Sequence, residues 1–537
     1  MRSASVAALS FLSSLFFALE SSAVQLTIQR PPPKAASSSD ANNNLINTNN
    51  QRYSTNITIA GKTVNVLIDT GSTDLWVAPP GGVPAFNDTG LSTTIRYGTG
   101  ANFVTGDIGV NEFQLDGQHT IPAQAFLSVT SSAGEESDFA AGHFGIWGLG
   151  FNTAGSSQVN DAVQQAKGAT STAGQSVLAN IFAQNPSGSD YIGISLSRTG
   201  DQEGTSDASL TISEYDTDYA AVANAPKVPQ TPANSGAWTV PLDSFSVGGK
   251  KIQWPTTLPT IAPTGKNIVL LDTGTTNILM PKAQIDAIYS AIPGAVLAPS
   301  AQNIPLVQFS TTTDVWVVPC TAQVDIVATF GGQDFPLHPL DVTDMQVLTS
   351  PDGSHNYTVC VGAFTDIGTI AQGETEALFG DSFLRNVYTS FDFGTGGSTK
   401  GPPFVQMLSN TDPAKSAADL IDVRRQVMLT MPPELAPVDL VKVFNGTEAP
   451  GVATPVALPS AVSIPGGTAT PAPAAGGTST APARVGSPTT GGGSTASTDT
   501  PSTGSGATTG NKNSGTSSAP STPLLMAVLL VAISSFV

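Results

Sequence analysis

The chain has 537 residues, enough for two or three domains, with 11% charged residues and a formal net charge of −19. That balance argues against nucleic acid or an anionic membrane surface as a partner. It suits a protein that stays soluble and folded in acid, and ordinary solubility accounts for it equally well.

Residues 1–23 have the layout of a secretory signal: Arg2, a nearly all apolar or small run from Ala4 to Ala18, and Ser21-Ser22-Ala23 for cleavage. The apolar run is too short to span a bilayer. Residues 24–50 are polar and rich in Ser, Asn and Pro, a leader or a short pro-segment. From Tyr53 the pattern alternates like strands. Ile57 and Ile59, then Val64, Val66 and Ile68, flank an Ala60-Gly61-Lys62 turn, and this hairpin feeds Asp69. Residues Ile95 to Leu115 read as a second hairpin, with Tyr97-Gly98-Thr99-Gly100 near its tip.

Residues 131–142 and 152–175 read as Gly/Ser/Ala-rich loops, and Gln175 to Gln184 as a short helix. Strands are expected at Leu210 to Tyr219 and Trp238 to Val247, and helices at Pro281 to Ile292 and Pro413 to Leu429. The expected domains are an N-terminal lobe at 51–235, a C-terminal lobe at 236–410, an extension at 411–449 with no assigned role, and a Ser/Thr/Gly/Pro-rich stalk at 450–522. The stalk composition cannot bury a core and fits an extended, O-glycosylated spacer. Residues 523–537 are an apolar tail with nothing polar after it, behind the small residues Asn513-Ser514-Gly515. This is the layout of a GPI-attachment signal, with Asn513 as the attachment site, Gly510 or Ser514 as near equals, and a short tail anchor as the alternative. Four sequons, at Asn56, Asn87, Asn356 and Asn445, become usable glycosylation sites in a secreted chain. Cys320 and Cys360, the only cysteines, read as one disulfide in a secreted chain, or else as two buried thiols. The four histidines show no zinc-ligand spacing, so no metal site is expected.

One pattern occurs twice. Val66-Leu67-Ile68-Asp69-Thr70-Gly71-Ser72 returns as Val269-Leu270-Leu271-Asp272-Thr273-Gly274-Thr275. Each copy is an apolar strand that runs into a carboxylate and a Thr-Gly turn. A carboxylate there is expensive unless it is hydrogen-bonded and used. Two copies suggest two related lobes, each giving one carboxylate to a shared site. Asp88-Thr89-Gly90 repeats the tripeptide without the strand before it, and reads as a surface loop.

Across residues 50–410 the chain resembles the pepsin-like aspartic proteases, and in its stalk, acidity and tail the fungal GPI-anchored cell-surface members. The resemblance rests on the two Asp-Thr-Gly copies, on Tyr97-Gly98-Thr99-Gly100, on Phe144-Gly145-Ile146-Trp147-Gly148-Leu149-Gly150 and on Leu378-Phe379-Gly380-Asp381-Ser382-Phe383-Leu384-Arg385, in the family's order. It implies an all-β, two-lobed fold with a cleft between the lobes, and an acid endopeptidase using a water between Asp69 and Asp272. It implies a flap carrying Tyr97, Gly98 and Thr99, substrate contacts from Gly71, Gly274 and Thr275, and support from Thr70, Thr273, Ser72 and Trp76. Trp76 is expected to bond the flap Tyr97, or to be a core aromatic, or both. The family also carries a disulfide in its second lobe. No cofactor is implied. The expected partners are protein or peptide substrates, pepstatin-type inhibitors and the outer membrane leaflet through a GPI anchor, with the chain a monomer.

Two departures limit the resemblance. Phe144-Gly145-Ile146-Trp147-Gly148 replaces the family's usual Asp-Gly-Ile-Leu-Gly, and the first lobe lacks its small disulfide loop. The competing readings are an inactive binding protein on the same scaffold and a cell-wall structural glycoprotein. Lost activity usually shows as a replaced Asp, flap Tyr or Thr-Gly, and none is replaced here, while a structural glycoprotein would not need two matched carboxylates. No Gly-x-Ser-x-Gly elbow or His-Glu-x-x-His helix is present, which leaves serine and zinc hydrolases without support.

Overall fold

The computed structural model describes residues 52–98, 100–115, 119–196, 198, 208–299, 314–368, 375–394 and 401–460, and the backbone of 24–27. The expectations for the signal at 1–23, for Thr99, for most of the leader and stalk, and for the tail with Gly510, Asn513 and Ser514 lie outside these residues. Among the described residues no helix is long and apolar enough to cross a membrane.

The fold is mostly β. In the first half, a seven-stranded sheet runs in the order Ser54–Ile59, Lys62–Asp69, Gly145–Gly148, Leu75–Val77, His119–Ala133, Asn102–Leu115, Asn87–Tyr97. The strand before Asp69 follows the expected alternation, with Val64, Val66 and Ile68 buried. Its hairpin turns at Ala60 (φ +50°) and Gly61 (φ +74°), the left-handed pair that a tight two-residue turn requires.

The second half repeats the central plan. Lys62–Asp69 runs parallel to Gly145–Gly148, which pairs antiparallel with Leu75–Val77. Asn267–Leu271 likewise runs parallel to Ala377–Phe379, which pairs antiparallel with Ile278–Met280. Each Asp-Thr-Gly loop therefore leaves one strand, crosses beside a second and returns on its far side. Two four-stranded sheets complete this half.

A six-stranded sheet joins strands from both halves, in the order Val24–Thr27, Ser209–Ile212, Tyr191–Ser195, Val387–Asp392, Phe404–Ser409, Val228–Pro229. The segment 24–27, read from sequence as part of a polar leader, thus lies at a sheet edge, where the alternating Val-Gln-Leu-Thr pattern suits it. Behind the two Asp loops, Trp238 packs on Phe151, Phe391 and Phe393 with ring centroids 4.3, 5.0 and 4.8 Å away. Its indole also donates to Leu149 O, so one fully buried side chain ties the halves and the joining sheet together.

The helices are short. Helix α1 is Glu136–Ala141, α2 is Gln158–Lys167, α3 is Val177–Gln184, α4 is Lys282–Tyr289, α5 is Asp381–Leu384, α6 is Pro413–Met428 and α7 is Pro437–Phe444. The helices and strands expected beyond residue 175 stand with small shifts, except that the strand from Leu210 ends at Ile212 and a 3-10 helix follows at Thr217–Asn224. The two expected loops are corrected. Residues 131–142 hold the end of the long strand His119–Ala133 and α1, and residues 152–175 hold α2. Asp88-Thr89-Gly90 is also corrected: it lies at the surface, but inside the strand Asn87–Tyr97.

Residues 411–449, without a role on sequence grounds, are integral to the second half. Asp412 caps α6 and Pro413 starts it. On α6, Arg424 is buried and donates to Thr343 O at 2.7 Å, and Met428 packs on the Cys320–Cys360 disulfide. On α7, Leu440, Val441, Val443 and Phe444 share a core with Val317, Tyr357, Val359 and Val361. The contact continues into the first residues of the expected stalk: Gly451 N donates to Tyr357 Oη, and Val456 N to Glu434 O.

Candidate active site

Asp69 ends its strand, and Asp272 follows Leu271 at the end of the matching one. In each loop the glycine two residues on donates its N–H to the carboxylate: Gly71 to Asp69 Oδ1 and Gly274 to Asp272 Oδ1, both at 2.8 Å. The hydroxyl three residues on takes the other oxygen, Ser72 to Asp69 Oδ2 and Thr275 to Asp272 Oδ2.

The third copy, at the surface, makes the same local bond, Gly90 N to Asp88 Oδ1 at 2.8 Å. The tripeptide therefore specifies only this local bond. What distinguishes the other two copies is that they face each other. Thr70 N donates to Thr273 Oγ1 at 3.0 Å, and Thr273 N to Thr70 Oγ1 at 2.9 Å. Each hydroxyl then donates across the junction, Thr70 to Leu271 O at 2.9 Å and Thr273 to Ile68 O at 3.1 Å. These four bonds lock the loops face to face. A Cβ on Gly71 would sit 2.5 Å from Asp272 Oδ1, and one on Gly274 2.5 Å from Asp69 Oδ1. Each glycine is thus the floor beneath the opposite carboxylate.

Burial, and then the adjacent Asp69 carboxylate, push the Asp272 carboxyl well above the usual carboxylate range, against the pull of its bonds from Thr275 and Gly274.

The hairpin tip expected to act as a flap carries Tyr97. Tyr97 is buried, and its hydroxyl accepts from Trp76 Nε1 at 2.6 Å. Trp76 is itself almost fully buried, a core aromatic that also bonds Tyr97. Gly98 (φ +56°) and Gly100 (φ +83°) make the turn at the tip, closed by Gly100 N donating to Tyr97 O. Phe139 of α1 meets the Trp76 ring edge-on at 6.4 Å.

The Cys320–Cys360 disulfide is formed, in the second half. The four sequon asparagines, Asn56, Asn87, Asn356 and Asn445, are all exposed.

Several charged groups here escape sequence reading. Asp74, five residues after Asp69, accepts from Ser157 Oγ and from the Gln158 and Val159 N–H groups, capping α2. Glu135 and Asp381 are fully buried. Burial, then Asp138, lifts Glu135 to about 8, and burial pushes Asp381 well above the usual range. Arg52 donates to Asp138 across the first half and to Thr276 on the second Asp loop. Asp74 and Asp381 lie inside or beside the motifs quoted above and could be found there. Arg52 offers no local signal, because its partners stand 86 and 224 positions away.

A family model described as eukaryotic aspartyl protease matches residues 52–398. The aspartic protease of Phaffia rhodozyma is 27% identical over 353 residues, which is 63% of this chain and 73% of that one. The aspartic-type endopeptidase ctsD of Aspergillus fumigatus is 25% identical over 304 residues, 56% of this chain and about half (52%) of that one. Vacuolar protease A of Arthroderma otae is 24% identical over 65% of this chain and 78% of its own length. Among solved structures, the aspartic proteinase from Irpex lacteus aligns with a TM-score of 0.47 at 18% identity, over 73% of this chain and 99% of that one. The matched family stretch begins at Arg52, takes in both interlocked loops and the Tyr97 hairpin, and ends short of α6 and α7. The chain belongs to the eukaryotic aspartyl protease family, aspartic-type endopeptidases that hydrolyse peptide bonds.

Proposed function

We propose that the chain is an acid endopeptidase in which Asp69 and Asp272 activate a water between them. The observation that carries this reading is the reciprocal contact of the two loops, with each glycine beneath the opposite carboxylate. Hydrolysis needs a base for the attacking water, an acid for the substrate carbonyl oxygen and a proton for the leaving amine. A carboxyl pair sharing one proton supplies all three. The ionised member takes a proton from the water as its oxygen attacks the carbonyl carbon. The protonated member gives its proton to the carbonyl oxygen. Collapse of the tetrahedral intermediate breaks the C–N bond, and the amine leaves with a proton returned through the pair. Neither role belongs to one aspartate alone, since the two titrate as one unit. Tyr97, braced by Trp76, closes over the substrate and excludes water, as lids do. Gly71, Gly274 and Thr275 line the floor against which an extended peptide lies.

The preference for acid follows from the pair, because loss of its shared proton removes the acid. The signal at 1–23, the stalk at 450–522 and the tail at 523–537 support a secreted protein tethered by a GPI anchor at Asn513, with the four exposed sequons glycosylated. The lobes at 51–235 and 236–410 are the two halves between which the substrate binds, and the enzyme acts as a monomer. The test is cleavage of a denatured protein across about pH 3 to about pH 8, with and without pepstatin. Acid-dependent cutting, abolished by about one pepstatin per chain, is the expected result. A folded chain that neither cuts nor binds pepstatin contradicts it, and favours the inactive scaffold.

A further inference from the structure

Arg52 is buried at the start of the first hairpin, where the two halves meet. Its Nε donates to Asp138 Oδ1 on α1 at 3.1 Å. Its Nη1 donates to Thr276 Oγ1 at 2.8 Å and to Gly274 O at 3.4 Å, both on the loop that carries Asp272. Gly274 is the residue whose N–H holds Asp272 and whose missing side chain makes room for Asp69. On the other side, α1 reaches the flap through Phe139, Trp76 and the Tyr97 hydroxyl. One guanidinium therefore spans from the flap's support to the floor of the Asp pair.

A buried cation is costly unless its charge and donors are used. The charges facing this one come from each element around it. Asp138 and Glu135 face it from α1 and its N-cap, and Asp381 from α5. Glu135 in turn faces Asp69, Asp138 and Glu136. Asp381 faces Asp272, Asp341 and Arg385. His143 also lies in the field of Arg52 and Asp138. The cation thus sits among acids that adjoin both members of the pair.

We propose that Arg52 is a positioning residue for peptide hydrolysis: by bridging Asp138 to Gly274 and Thr276, it holds the Asp272 loop in register with Asp69 and with the flap. The inference rests on the reading of Asp69 and Asp272 as the catalytic pair. A planar guanidinium can bond to both halves at once, whereas a lysine ammonium keeps the charge but lacks the fork. Displacing a reacting group by about 1 Å costs on the order of 100-fold in rate. A cation near carboxyls lowers their pKa values, and its loss raises them.

The experiment compares the full-length wild type with Arg52→Met, Arg52→Lys and Asp138→Asn on a quenched fluorescent peptide. It reads kcat, KM, the two limbs of the pH–rate profile and the melting temperature. Arg52→Met is expected to lower kcat by about 10-fold or more, with KM changed by less than about threefold, and to move both limbs to higher pH. Arg52→Lys keeps the limbs in place and recovers only part of kcat. Asp138→Asn also lowers kcat, but moves the limbs to lower pH, because the Arg52 charge is then less compensated. A purely structural strut would move the melting temperature without these opposite shifts. Folded Arg52→Met with wild-type kcat and limbs overturns the inference. If that variant does not fold, folded Asp138→Asn with wild-type kcat and limbs overturns it instead. These results leave the catalytic reading standing, provided the wild type is active and pepstatin-sensitive. A wild type without such activity overturns that reading and this inference together.

Discussion

Glycine at positions 71 and 274 is demanded by the neighbour across the junction rather than by a left-handed backbone of its own. A methyl group at Gly274 would stand 2.5 Å from Asp69 Oδ1, closer than any stable contact, and that carboxylate is itself held in place by Gly71 N–H and the Ser72 hydroxyl. Gly274→Ala is therefore expected to lower kcat by about 100-fold or more by pushing the carboxyls apart, with the chain still folded. Steady-state kinetics with a melting curve checks this, and wild-type kcat would contradict it. The threonines make the complementary case. Thr70→Val removes a donor to Leu271 O and an acceptor for Thr273 N, both buried, which costs about 1–3 kcal/mol for each group left unsatisfied. Thr70→Ser keeps both bonds and is expected to stay within about 1 kcal/mol of the wild type. Urea unfolding of the two variants tells them apart.

Among the elements, those legible in the sequence are the ones whose cause is local. The hairpin into Asp69 declares itself by alternation and by Ala60-Gly61, and α6 by Asp412-Pro413. Helix α2 escapes sequence reading because its Gly- and Ser-rich surroundings look like loop. Its N-terminus is capped by Asp74, which lies 84 positions before Gln158. Ser157→Ala, which removes one donor to that carboxylate and the Ser157 cap of Asn160 N, is expected to cost about 1–2 kcal/mol. The extension is legible as a helix but not as a partner, because its contacts are made to distant strands, as when Glu434 accepts from Cys320 N 114 positions earlier. Leu440 on α7 is 1% exposed, and Leu440→Ala is expected to cost about 2–5 kcal/mol, measured by thermal unfolding. A neutral result would show that α7 is an appendage. The site is legible to the same extent. The carboxylates and their Thr-Gly turns are local signals, whereas Arg52, Glu135 and Asp138 come together only in the folded chain.

For the whole molecule, buried acids set the direction in which stability changes with pH. Burial lifts Glu135 from 4.5 to about 8, and Asp74 and Asp344 from 3.8 to about 6. The unfolded chain releases these protons near about pH 4, while the folded chain keeps them until about pH 6 to about pH 8. The unfolded state then binds fewer protons, so stability falls as pH rises through this window. Asp341 opposes this at the acid end. Although burial alone would raise it, Arg198 and Arg385 hold it below the usual range, and its contribution is lost as pH falls below about 4. The melting temperature is therefore expected to peak near about pH 4 and to fall towards about pH 8, with Glu135→Gln flattening the fall. A melting temperature that rises across that window would contradict the assignment.

The central claim is that one carboxyl from each half acts in a single unit, and the most direct measurement is a comparison of kcat for Asp69→Asn, Asp272→Asn and the double variant at acid pH. Residues that act as a unit are strongly non-additive. Each single variant is expected to lose about 10³-fold or more, and the double variant no more than either single one. A single variant that keeps most of its activity, or losses that multiply in the double variant, would contradict the account.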